Sequence, residues 1–200
     1  MKKLLLITSL ILTMTLVACG KETTTMNTSN NTNPVVTISV KGYSEPMVLE
    51  LYYDIAPNTV RNFIKLANDH FYDGSTFHRV IEDFMIQGGM GSKDTCTIAG
   101  EFSSNGFENN LKHDRGVISM ARTSVKNSAT SQFFIMHKNS PHLDGQYAAF
   151  GKLISGFDTL DAIATVNTGY QDRPVSEVKI TKVTVDTKGV TYDNPTCYGN

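Results

Sequence analysis

Eight short runs of apolar and β-branched residues, at 35–40, 47–52, 77–81, 84–87, 116–121, 132–136, 148–154 and 178–185, are separated by turn-forming residues. Runs of this length, rich in Val, Ile, Phe and Thr, read as strands. The first, Val35-Val36-Thr37-Ile38-Ser39-Val40, alternates with period two. Only two stretches carry the helical period instead. Val60, Phe63, Ile64 and Ala67 follow Pro57, which suits a first helical position, and Phe157, Leu160, Ile163 and Ala164 form the second set. Eight strands with two helices do not make an alternating α/β sheet. They predict a mainly β fold, a closed or nearly closed barrel with helical caps.

The globule begins at about residue 35, and what precedes it has another character. Met1-Lys2-Lys3 is basic, residues 4–17 are almost wholly apolar, and Leu16-Val17-Ala18-Cys19 ends the run. Basic, greasy, then small is the layout of a secretory signal, and the run is shorter than the roughly 20 residues of a spanning helix. The ending resembles a bacterial lipobox, which implies removal of residues 1–18 and lipidation of Cys19. Residues 19–34 are then the lipidated cysteine and a polar, flexible tether with a reach of roughly 20 Å. Loss of Lys2 and Lys3 makes the net charge of −1 more negative. The expected location is therefore extracytoplasmic, held to the bacterial cell membrane by lipid and not by charge. Residues 187–200 read as a polar C-terminal tail whose own pattern packs weakly.

The charge balance of 18 basic against 19 acidic residues offers no basic stripe for nucleic acid. Zinc-protease, phosphate-loop, nucleophile-elbow and calcium-loop motifs are absent from the sequence, and no metal or cofactor is expected. His137, His142 and Asp144 read as exposed loop residues, and His113-Asp114-Arg115 as a solvated turn. The informative stretch is Phe77-His78-Arg79-Val80-Ile81 followed by Phe84-Met85-Ile86-Gln87-Gly88-Gly89. Strand alternation puts Phe77, Arg79 and Ile81 on one face. On pattern alone Arg79 lies either on a solvated outer surface or against a functional groove.

The segments FYDGSTFHR, FHRVIEDFMIQGG, GEFSSNGFENNLKHDRGVISMAR and SQFFIMHKNSPHLDGQYAAFGKL resemble, in order, the cyclophilin family of peptidyl-prolyl cis-trans isomerases, over residues 35–186. The resemblance implies a closed eight-stranded antiparallel barrel capped by two α-helices, with the site on its outer face. It implies an enzyme that rotates X-Pro bonds in unfolded or folding proteins, acting as a monomer on proline-containing segments of secreted or surface proteins. Arg79 and Gln87 match the catalytic positions. Phe84, Met85, Phe134 and Leu143 match the proline pocket, while Ala121, Arg122 and Gln132 match groove-lining positions.

Three departures accompany the match. Arg122 replaces a common asparagine. His142 replaces a tryptophan that contacts cyclosporin in many eukaryotic members, and Tyr147 replaces a histidine; both are counted with the substrate-binding residues. A tethered proline-peptide binding module or holdase is the alternative reading; a pure binder has little reason to keep Arg79. With Cys19 acylated, Cys96 and Cys197 remain, and sequence leaves open whether they are bridged or free.

Overall fold

The computed structural model describes residues 32–91 and 95–199. The signal-like run, Cys19 and residues 20–31 of the expected tether lie outside the described residues.

Eight strands form one antiparallel sheet: β1 (Val35–Val40), β2 (Met47–Leu51), β3 (Arg79–Ile81), β4 (Met85–Gly88), β5 (Val117–Met120), β6 (Phe133–Met136), β7 (Ala149–Ser155) and β8 (Ile180–Asp186). Their order is β3-β4-β6-β5-β7-β2-β1-β8. The expected closure is not complete: this is a curled, open half-barrel. β3 and β8 end the sheet, and the seam between their lead-in segments is crossed by the bridge Thr76↔Lys179 and by backbone bonds from Gly74 to Ile180, Ile180 to Ser75 and Phe77 to Val178. With three residues, β3 begins beyond that bridge and pairs with β4 alone.

Alternation divides the side chains of the sheet into two apolar clusters. On β6, Phe133 and Ile135 join the main core, while Phe134 and Met136 join a smaller outer cluster. β4 divides likewise, Ile86 inward and Met85 outward. Because both faces are covered here, β6 reads as a continuous apolar run, and β5 is buried throughout with only Ser119 polar.

Helix α1 (Pro57–Asn68) and helix α2 (Phe157–Ala164) place Phe63, Leu160 and Ile163 in the main core. Phe63 meets Tyr72, Phe133 and Phe150 at 4.9, 5.4 and 5.5 Å between ring centroids. The start of α1 has no side-chain cap of its own. The buried Glu101 carboxylate supplies one from a distance, accepting the Asn58 and Thr59 backbone N–H groups at 3.0 and 2.7 Å. Those are two of the donors every helix start leaves unpaired.

The C-terminal segment is tied down, although its composition predicts weak packing. Cys96 and Cys197 form a disulfide with Cα atoms 5.5 Å apart, which settles the alternative left open by sequence. Asn58 and Thr196 exchange two hydrogen bonds of 2.9 and 2.7 Å. Tyr192 packs edge-on against Tyr53.

Candidate active site on the outer face of the sheet

The outer apolar cluster is the floor of a groove. Hydrogen-bond register puts Arg79 opposite Gln87, and Gln87 opposite Phe134, so β3, β4 and β6 lay these three side by side. Val80 turns into the core, while Arg79 and Ile81 face outward. Phe77 does not share their face as expected. It lies before the strand, its N–H bonded to Val178, and its ring is buried in the main core.

A cavity of about 160 Å³ is lined by Arg79, Phe84, Met85, Gln87, Ala121, Arg122, Phe134, Leu143 and Tyr147. Its volume suits one small ring, well below the roughly 300–1,000 Å³ of drug-sized pockets. Of the residues singled out in the sequence, Gln132 and His142 stand just behind this lining. The Gln87 side-chain amide donates through Nε2 to Gln132 Oε1 at 3.0 Å, and His142 stacks on Phe84 at 5.7 Å. Gly89, at φ +81°, follows β4 at a point where a β-carbon would come within 2.7 Å of Phe133 and of the Ser131 carbonyl. Only glycine allows that close crossing.

Phe134 is braced from both sides. The Tyr147 ring meets it edge-on at 5.7 Å, and the His113 imidazole stacks with it at 6.1 Å. His113 is 1% exposed, so the solvated turn expected for residues 113–115 is corrected. Its ring nitrogens lie 3.2 Å from Asp144 and 3.1 Å from Ser119. Burial holds the His113 imidazole below its ordinary pKa, against the pull of Asp144. Burial also works against the charge of Asp144, but the N–H groups of His113 and the Lys112 ammonium outweigh it and hold the carboxyl low. An ionised Asp144 can only accept, so the neutral ring donates from Nδ1 and accepts at Nε2 the hydrogen bond that the Ser119 hydroxyl donates. Of the expected exposed loop residues, His142 is exposed, whereas Asp144 and His137 are mostly covered; His137 pairs with Asp161 at 3.2 Å.

Arg122 is fixed over the rim. Its guanidinium lies 4.6 Å from the Tyr147 ring centroid and 5.1 Å from that of Phe102, and it donates to the Gln146 carbonyl at 2.8 Å. The substitution for asparagine therefore closes the rim with a stacked cation. Arg79 donates through Nε to Asp172 at 3.2 Å. Asp172 lies on a loop between α2 and β8 and went unnoticed in the sequence, because Tyr170-Gln171-Asp172-Arg173-Pro174 carries no apolar period. Gln171 and Asp172 both take left-handed backbone, at φ 57° and 58°. Non-glycine residues held there cost on the order of 1–3 kcal/mol each.

A family model described as cyclophilin type peptidyl-prolyl cis-trans isomerase/CLD matches residues 35–185. The chain is 42% identical over 140 residues to the peptidyl-prolyl cis-trans isomerase CYP18-1 of Arabidopsis thaliana, covering 68% of this chain and 87% of that protein. It is 42% identical over 151 residues to a peptidyl-prolyl cis-trans isomerase of Acinetobacter baylyi, covering 68% and 78%. The crystal structure of a cyclophilin-type isomerase from Cryptosporidium parvum superposes with a TM-score of 0.69 at 30% identity, over 77% of this chain and 98% of that one. The same protein crystallised in the presence of the dipeptide Ala-Pro gives 0.67 at 29% identity, over 76% and 98%.

Proposed function

The chain belongs to the cyclophilin-type peptidyl-prolyl cis-trans isomerases, and from that membership we propose how its groove turns the X-Pro bond and where in the cell it does so. An amide resists rotation by about 18–20 kcal/mol because of resonance. At the summit the prolyl nitrogen is pyramidal and its lone pair is localised. A donor aimed at that nitrogen binds the transition state more tightly than either ground state, which is the condition for catalysis.

Arg79 is that donor. Its guanidinium presents a rigid, planar fork of N–H donors. One preorganised donor supplies roughly 3–4 kcal/mol, whereas five decades of acceleration need about 7. The remainder comes from holding the peptide half-twisted. Phe84, Met85, Phe134, Leu143 and Tyr147 take the proline ring, while Gln87, Gln132 and the backbone of Ala121 and Arg122 hold the flanking chain. His142 borders the groove through its stack on Phe84. The observation that carries the reading is the lining itself: an apolar cup of about 160 Å³ with Arg79 and Gln87 at its edge.

The same proposal places the enzyme outside the cytoplasm as a monomer, with lipid on Cys19 and secreted or surface proteins as clients. The basic, apolar and Leu-Val-Ala-Cys order of residues 1–19 supports it. So does the Cys96–Cys197 disulfide, a bond that persists in oxidising compartments. The full-length chain in detergent should accelerate cis–trans exchange of an Ala-Pro tetrapeptide, measured by exchange NMR. No acceleration would leave only the peptide-binding module. Lipid labelling in a bacterial host should be lost in Cys19→Ala, and labelling that persists would sink the anchor.

A further inference from the structure

Arg79 is held by a carboxylate that the sheet does not supply. Gln87, its neighbour in register, gives its amide N–H to Gln132. The acid that meets Arg79 arrives from the loop after α2, where Asp172 Oδ2 accepts from Nε at 3.2 Å. A bond at Nε fixes the plane of the guanidinium and leaves its terminal amino groups for another partner.

The loop is built to deliver this one group. Gly169 N–H donates to the Arg173 carbonyl at 2.8 Å, Val175 N–H to Asn167 at 2.9 Å, and Asp172 N–H to Gly169 at 3.1 Å. Its tip buries little: Tyr170 is 87% exposed and Val175 73% exposed, although Pro174 is buried. Core packing therefore does not explain why Gln171 and Asp172 accept left-handed backbone. Nor does stability, because both side chains of the pair are nearly half exposed, 40% for Arg79 and 45% for Asp172, and such pairs contribute little. Backbone strain kept without a packing gain points to a functional placement.

We propose that Asp172 is a positioning residue for isomerisation: it holds the Arg79 guanidinium in the plane from which its free N–H groups reach the prolyl nitrogen. The inference rests on the reading of Arg79 as the donor. It adds the requirement that an arginine on a long, rotamer-rich side chain be oriented before substrate arrives, since small errors in placement cost large factors in rate.

The test uses the full chain and separates kcat from KM by exchange NMR on an Ala-Pro peptide. Asp172→Asn should lower kcat roughly tenfold, with KM and the melting temperature nearly unchanged, and Asp172→Glu should recover part of the loss. In the Arg79→Ala background, Asp172→Asn should remove nothing further. The Arg79 Nε–Hε resonance should shift in Asp172→Asn, a signature that a merely structural loop residue would not move. An unchanged kcat in Asp172→Asn, alongside a large loss in Arg79→Ala, overturns the role of Asp172 alone. A raised kcat overturns it too, by making Asp172 a competitor that withholds the guanidinium. Full activity in Arg79→Ala would overturn both readings together.

Discussion

The groove side of the sheet and the side where the C-terminal segment docks are held together by different means. The groove is a second, outward apolar cluster, with Phe134 at its centre and Tyr147, His113 and Met85 around it. The C-terminal segment, by contrast, is fastened by a few local ties: the Cys96–Cys197 bridge, the Asn58–Thr196 pair and the edge-on Tyr53–Tyr192 contact. Packing that spans several strands holds the rings of the groove against one another. Local ties restrain the chain without shaping any surface. Damage to the buried apolar floor of the groove should therefore appear in both rate and stability, damage to its exposed polar edge in rate alone, and damage to the ties in stability alone.

The sharpest way to break that contrast is Phe134→Ala. Emptying so buried a ring should cost about 3–5 kcal/mol of stability and raise KM for proline peptides, because the cup loses its floor. Chemical denaturation with kinetics on the same sample would show it. A variant that loses stability while keeping KM would mean that the ring is core and nothing more.

Reduction of Cys96–Cys197 is the complementary cut. Opening a loop between residues 101 apart in sequence should lower stability by up to about 4.7 kcal/mol in the chain-entropy account. The kcat of the folded, reduced enzyme should be unchanged. A drop in kcat at temperatures where the reduced chain is fully folded would join the two sides that we separate.

A smaller effect sharpens the comparison by pH. Burial holds His113 below its ordinary pKa, and burial does the same to His78, helped by the nearby Arg173 and Arg79. The unfolded chain, whose histidines titrate near 6.5, then takes up protons first as pH falls. The stability carried by the neutral rings is complete above about pH 6.5 and is lost as pH falls toward the native values. Asp144 and Asp161 are also held low, so their share survives until the carboxylate range. The melting temperature should begin to fall just below about pH 6.5; a flat profile down to pH 5 would show that His113 is charged in place.

Much of this was legible in sequence, for identifiable reasons. β6 was visible because Phe133–Met136 is apolar on both faces, and α1 because Val60, Phe63, Ile64 and Ala67 share a stripe. The cavity lining was legible only through motif resemblance: nothing in the alternation tells Phe134, facing the groove, from Phe133, facing the core. The barrel closure was over-read because strand patterns do not report how long a seam ladder is. Phe77 departs from the period-two face because it lies two residues before β3 begins. The burial of His113 does not show in the local pattern because its partners, Asp144 and Ser119, lie 31 and 6 residues away. Asp172 stayed hidden for the same reason, 93 residues from Arg79.

The central claim is that one guanidinium over an apolar cup lowers the barrier to rotation, and Arg79→Ala tests it most directly. Arg79 faces outward, away from the main core, so the variant should keep its melting temperature and its affinity for a proline peptide. Its kcat should fall roughly 10²–10³-fold, the value of one preorganised donor. A variant that folds, binds and turns over at the wild-type rate would contradict the account.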